Sequence, residues 1–133
     1  MKRFPVVAGV IVKEGRILLA RRPEGKKRAG LWEFPGGKLE PQEGPEEALK
    51  RELREELGVE VSVLKRLAEV DFDYPEVPIR LMGYFCRLEE GEPRPLEGQG
   101  LGWFSPEEVE GLRLAPADIL LWKEVKKALL QTS

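Results

Sequence analysis

The sequence predicts an α/β or α+β sandwich, a mixed sheet flanked by helices. Three observations carry this expectation: β-rich segments dominate, one amphipathic helix interrupts them midway, and a second helix closes the chain. Its 133 residues and 41% apolar content suit one domain, residues 1–133, with one hydrophobic core.

The elements follow in order. Residues 6–12 are rich in β-branched side chains, Glu14-Gly15 is a turn signal, and residues 17–20 are apolar again. The two runs predict a hairpin. Residues 21–30 are basic and carry Pro and Gly, which predicts a loop. A short apolar piece at 31–34 is expected to stop at Pro35-Gly36-Gly37. Residues 45–57 give the clearest helix: Pro45 suits its first turn, and Glu46 and Glu47 suit the positive end of its dipole. Ala48, Leu49, Leu53 and Leu57 form an apolar stripe, and Gly58 is placed to cap the C-terminus. Residues 59–74 and 77–88 are β-rich and separated around Pro75. A polar loop at 89–100, a strand at 101–104, a short helix capped by Ser105 and a long helix at 118–130 complete the chain.

Composition narrows the chemistry. The chain has no histidine, which removes Ser–His and Cys–His nucleophile pairs and imidazole metal sites. Cys86 is the sole cysteine, so no intrachain disulfide forms, and its apolar surroundings suit a small buried side chain. The net charge of -2 supplies no basic field for duplex nucleic acid. No apolar run spans a bilayer. The first 12 residues faintly mimic a secretion signal, but the apolar stretch is short and runs into Lys13-Glu14-Gly15-Arg16 without a cleavage pattern. The expected location is the cytoplasm. The absence of asparagine and the 35% charged content fit a heat-adapted chain.

Carboxylates remain as the plentiful catalytic group. On the 45–57 helix, Glu52, Glu55 and Glu56 lie three and four residues apart and share one face. Three adjacent carboxylates repel unless water screens them or a cation neutralises them. An acidic face beside Gly36-Gly37 suits a hard divalent cation such as Mg²⁺ or Mn²⁺, with a close-approaching backbone carbonyl as a further oxygen. The simpler alternative is a solvated acidic face with Arg51 and Arg54 as partners.

The segment 37–59 resembles the Nudix box, G-x5-E-x7-R-E-U-x-E-E-x-G-U with U apolar. Gly37, Glu43, Arg51, Glu52, Leu53, Glu55, Glu56, Gly58 and Val59 fill every fixed position. The resemblance extends to GLWEFPGGK at 30–38, LARR at 19–22, EGQ at 97–99 and LAPADI at 114–119, which are similar to segments of MutT-like enzymes. It implies an α/β/α sandwich with the box as loop–helix–loop, and a Mg²⁺-dependent hydrolase acting on a nucleoside triphosphate, releasing pyrophosphate in nucleotide-pool cleaning. Within MutT-like enzymes, the branch cleaving CTP is the nearest resemblance.

By this resemblance Glu52, Glu55 and Glu56 bind the cation, with the Gly36 carbonyl as a further ligand. Arg51 orients the carboxylates, and Glu43 makes a loop-to-helix contact. Gly37 and Gly58 are structural. Glu97 is a metal ligand or the base that activates water, a role open also to Glu52. Arg22 is a candidate phosphate or sugar contact, since guanidinium grips phosphate oxygens in pairs, and Lys38 would add positive charge near the phosphates. Phe34 and Asp118 are candidate base contacts: a ring lies under a base, and an ionised carboxylate accepts from exocyclic amines. Asp118 stands where the oxidised-guanine enzyme carries asparagine; it suits cytosine N4 or the N1–H and N2–H edge of guanine equally. Asp118 also suits an N-cap on the last helix. Trp32, Trp103 and Trp122 are read as core. Two other readings share the box: a diphosphatase for dinucleoside polyphosphate or ADP-ribose, and a nucleotide-binding module without turnover. Monomer and homodimer stay equally open.

Overall fold

A computed structural model describes residues 2–131; Met1, Thr132 and Ser133, which the 1–133 domain expectation includes, lie outside the described residues. Strands β1 (Phe4–Lys13) and β2 (Arg16–Arg21) form the expected hairpin, with Lys13 opposite Arg16. Its turn holds Glu14 at φ 51° and Gly15 at φ 76°. Left-handed backbone at both turn residues matches the twist of the paired strands, and glycine adopts it without a Cβ clash.

The piece after residue 31 becomes β3 (Trp32–Glu33), paired with β2. The chain does not stop at Pro35-Gly36-Gly37 as expected. It resumes as β4 (Gly36–Lys38), antiparallel to β1, with Val6 opposite Lys38 and Ala8 opposite Gly36. Glycine makes this possible, because a Cβ on Gly36 would lie 1.9 Å from the Val7 carbonyl oxygen. The box is therefore entered through a strand, then a loop.

Helix α1 (Pro45–Leu57) matches the expected bounds, with Pro45 in its first turn. Gly58 takes the left-handed cap at φ 69°, and its N–H donates to the Arg54 carbonyl at 2.9 Å. Strands β5 (Glu60–Asp73) and β6 (Pro78–Glu90) form a long hairpin, closed where Tyr74 and Val77 exchange backbone hydrogen bonds of 3.1 Å. The loop before β7 (Gly100–Phe104) is shorter than expected, because β6 runs on to Glu90. Helix α2 (Pro106–Glu110) carries a reciprocal cap in which Ser105 and Glu108 bond each other's backbone N–H. Helix α3 (Pro116–Gln131) begins two residues earlier than expected, which moves Asp118 inside its first turn.

The sheet runs β3-β2-β1-β6-β5, with β4 also on β1 and β7 also on β2. It is mixed, since β1 and β6 are parallel. Alternate residues of β1 divide between two apolar clusters. Val7 and Ile11 pack with Ala48, Leu49, Leu53 and Leu57 of α1, whereas Ala8 and Val10 pack with Leu121, Trp122 and Val125 of α3. A strand covered on both faces reads as a continuous apolar run, which is what residues 6–12 show. The result is an α/β/α sandwich. Among the described residues, no helix is long and apolar enough to cross a membrane.

Leu49, Leu53 and Leu57 are fully buried, each contributing about 2 kcal/mol on the usual area scale. Like-charge pairs along a helix cost only about 0.2–0.5 kcal/mol each. The apolar stripe therefore holds α1 in place despite the acidic face that it presents. Trp122 is buried in the α3 cluster, while Trp32 and Trp103 are half-buried; Trp32 meets Phe104 edge to face at 5.0 Å.

Candidate active site

The carboxylates of α1 face β4. A Cβ on Gly37 would fall 2.4 Å from Oε2 of Glu52, so only glycine lets this backbone lie against that carboxylate. On the neighbouring residue, the Gly36 N–H donates to Oε2 of Glu56 at 3.2 Å.

Arg51 organises the group. Its Nε and Nη2 donate to the two oxygens of Glu43 at 2.7 and 2.9 Å, a paired contact. Its Nη1 donates to Glu52 at 3.0 Å and Glu55 at 3.2 Å, and its Nη2 also reaches the Lys38 carbonyl at 3.1 Å. One guanidinium thus links the box loop, β4 and two carboxylates of α1. Its hydrogen bonds hold the Glu43 carboxyl down at about 2. Among the described residues, no three acidic side chains converge closely enough to enclose a metal ion, while Glu52 and Glu55 share the Arg51 Nη1.

Glu56 is the most perturbed of the box carboxyls. Burial pushes it up to about 9, and the charges of Glu52, Glu97 and Glu33 push the same way, against the Gly36 N–H. Burial also raises Glu52, partly offset by Arg51. Glu97 is exposed, yet it shares a cavity of about 480 Å³ with Glu56. Arg21, Arg22 and Lys26 bring positive charge to the same cavity.

A second cavity of about 310 Å³ lies on the other side of Arg22 and Glu33, which line both. Arg22 donates to Glu33 at 3.0 Å and to the Lys27 carbonyl. Phe34, Gly36, Gly37, Lys38 and Asp118 all line this second cavity. Phe34 is only 4% exposed and belongs to the core beneath α3, so it offers the cavity a small part of its surface. Lys38 stands exposed at the end of β4.

Asp118 corrects one expectation. It does not cap α3; its Oδ1 accepts the Phe34 N–H at 2.9 Å and ties α3 to the β3–β4 connection. Tertiary packing brings these segments together and offers a buried donor that a local cap would have left unpaired. Burial, then the Glu33 charge, raises the Asp118 carboxyl well above the usual range.

Three further residues join the site without having been singled out. Glu33 is raised by burial and held by Arg22; its sequence signals were an acid inside the apolar piece LWEF and a place within GLWEFPGGK. Arg28 lies 3.8 Å over the Tyr74 ring and pairs with Glu76 beside the second cavity. It sits at φ 58°, a backbone shape that sequence does not announce for arginine. Gln99 bonds the end of α1 and was visible only as the last letter of EGQ.

The chain is similar over most of its length to proteins whose reactions are named. The CTP pyrophosphohydrolase of Escherichia coli (strain K12) is 46% identical over 121 residues, covering 91% of this chain and 90% of that protein. An 8-oxo-dGTP diphosphatase of Haemophilus influenzae is 38% identical over 121 residues, covering 90% of this chain and 89% of that protein. The crystal structure of a MutT NUDIX hydrolase from Burkholderia pseudomallei superposes with a TM-score of 0.84 at 32% identity, covering 94% of this chain and 99% of that one. The NUDIX domain profile matches residues 2–124, and with the complete box on α1 this chain belongs to the Nudix family as a hydrolase of its MutT-like branch.

Proposed function

We propose that the chain hydrolyses a nucleoside triphosphate to the monophosphate and pyrophosphate, and so clears unwanted nucleotides from the cytoplasmic pool. The observation that carries this reading is the half-buried Glu56, crowded by the like charges of Glu52, Glu97 and Glu33, beside a cavity whose other side chains include Arg21, Arg22 and Lys26. Repelling carboxylates facing cations suit a polyphosphate bound with its own counter-ion. The whole chain, residues 1–133, acts as one domain with the box at 37–59.

The donor set fits a hard cation: the candidate ligands are oxygens only, and the glycine backbone at 36–37 closes directly on Glu52 and Glu56. Glu52, Glu55, Glu56 and Glu97, with the Gly36 carbonyl, would hold Mg²⁺, or Mn²⁺ in its place. When bound, the cation would neutralise phosphate charge and lower the pKa of water. Arg22 and Lys38 take phosphate oxygens. Water attacks phosphorus, its proton passes to Glu97 or Glu52, and the phosphoanhydride bond breaks with its electron pair on the leaving oxygen. Phe34 and Asp118 line the cavity that receives the base.

Product analysis tests the reaction: equal release of monophosphate and pyrophosphate is expected with Mg²⁺. Orthophosphate or ribose phosphate as the product would overturn it. The screen extends to normal and damaged NTPs and dNTPs, where Asp118→Asn adds a donor while keeping an acceptor for Phe34. Its kcat/KM ratio between cytosine and guanine nucleotides is expected to shift about tenfold or more. An unchanged ratio removes Asp118 from base reading.

Arg51→Lys keeps the charge but loses the paired fork to Glu43. Turnover is expected to fall about 10–100-fold while KM holds, as for residues that orient metal ligands. Wild-type turnover in that variant would make Arg51 dispensable to the carboxylate arrangement.

A further inference from the structure

The loop between β6 and β7 is fastened to the last turn of α1. The final carbonyls of a helix lack partners within it. Here the Arg94 N–H donates to the Leu57 carbonyl at 3.0 Å, and the Leu96 N–H donates to the Glu56 carbonyl at 3.1 Å. Gln99 adds a bond of a different kind. Its Nε2 donates to that same Glu56 carbonyl at 3.2 Å, while its Oε1 accepts the Glu97 N–H at 2.9 Å.

One carboxamide therefore joins the backbones of the two residues whose carboxylates share the larger cavity. The task needs a donor and an acceptor on one planar group, which among side chains of this length only glutamine supplies. Asparagine carries the same group one methylene shorter. Glu97 itself is exposed and its loop turns at Gly98, φ 75°; Arg94 and Leu96 fasten the loop before Glu97, and Gln99 is the side chain that bonds the Glu97 backbone itself. Gln99 is half-buried, whereas its neighbours Glu97, Gly98 and Gly100 are exposed.

We infer that Gln99 is a positioning residue: its side chain is a strut between the end of α1 and the 91–99 loop, holding the Glu97 carboxylate opposite Glu56. This rests on the proposed role of Glu97 in the site. Gln99 does not touch substrate in this role; it acts through Glu97. A residue that merely fastened the loop would change stability and leave cation affinity and turnover alone.

The test uses the full chain with Glu97→Gln, Gln99→Met and Gln99→Asn. Three quantities are measured: the dissociation constant for Mn²⁺ alone, by electron paramagnetic resonance on nucleotide-free protein; kcat and KM for CTP; and Tm. Methionine keeps the length and removes both hydrogen bonds. For Gln99→Met, Mn²⁺ binding is expected to weaken about tenfold, with kcat falling by a similar factor and KM held within about twofold. Gln99→Asn, which reaches one partner at a time, is expected to fall between Met and wild type. Glu97→Gln is expected to weaken both Mn²⁺ binding and kcat at least as much.

If Glu97→Gln is impaired while Gln99→Met binds Mn²⁺ and turns over as wild type, the strut is overturned and the proposed reaction stands. If Glu97→Gln is itself unaffected in both measures, the role of Glu97 fails and the strut loses its purpose. A drop in Tm alone, with Mn²⁺ affinity and kcat intact, also overturns the inference by reducing Gln99 to a loop fastener.

Discussion

Glu56→Gln is expected to lower turnover on the order of 10²–10³-fold, the usual range for removing one group that stabilises charge in a transition state. The same change alters how the metal-free protein responds to pH. In the fold, Glu56 keeps its proton until about 9, because partial burial strips water from it and Glu52, Glu97 and Glu33 face it. In the unfolded chain a glutamate releases its proton near about 4.3. Between those values the folded state binds more protons than the unfolded one, so rising pH lowers stability. The contribution is whole below the unfolded value and lost as pH climbs through the folded one. One such proton is worth a slope of up to about 1.4 kcal/mol per pH unit. Glutamine carries no titrating proton there, so the variant is expected to melt with a flatter pH profile. Thermal melts in a chelator, over roughly pH 5 to 9, check this. Parallel profiles for variant and wild type would refute the desolvated, charge-crowded account of Glu56.

Gly36→Ala and Gly37→Ala are expected to fail in different ways, although the residues are adjacent. A Cβ at Gly36 meets backbone: 1.9 Å to the Val7 carbonyl oxygen, 2.8 Å to its carbon and 2.9 Å to the Ala8 Cα. Backbone in the central strand cannot swing aside, so β4 must separate from β1. The cost is about 3 kcal/mol, at the upper end for overpacking, and the melting temperature is expected to fall by roughly 10 °C. At Gly37 the nearest atoms to a Cβ are those of the Glu52 carboxylate, at 2.4 to 2.7 Å. That side chain can rotate away, so the fold survives while the carboxylate is displaced. Turnover is then expected to drop about 10²-fold, the scale for a misplacement near 1 Å, with Tm close to wild type. Urea melts and initial rates on both variants separate the two outcomes. An active, stable Gly36→Ala protein would contradict the close approach of β4 to β1.

Local rules made α1 legible, because every signal along 45–58 agrees. Pro45 opens it, Glu46 and Glu47 favour its dipole, four apolar residues recur at helical spacing, and Gly58 ends it. The spacing that buries Leu49, Leu53 and Leu57 also gathers Glu52, Glu55 and Glu56, so the acidic face could be read without coordinates. The 6–20 hairpin was equally local, its turn and both strands lying within a few residues of each other. β4 was not legible: Gly36 and Gly37 signal a stop by propensity, and only pairing with β1, some thirty positions away, turns them into strand.

Asp118 shows the same division. Near a helix start an aspartate suits an N-cap, yet packing of α3 over the sheet offers it the Phe34 N–H instead. Glu33 and Gln99 lie in segments resembling MutT-like enzymes but had no role assigned, Arg28 lies in none, and each meets a partner far along the chain: Asp118 for Glu33, Glu56 for Gln99 and Tyr74 for Arg28. The sequence by itself determined which face of α1 is buried, which is acidic, and which family the box resembles. Periodicity within one helix requires no knowledge of its neighbours. Only the tertiary structure decided that Glu56 is crowded by charges from three other residues, that Arg22 and Glu33 border both cavities, and that a loop bears Glu97 toward α1. Burial and charge are sums over everything nearby in space, and a linear order of residues does not contain those distances.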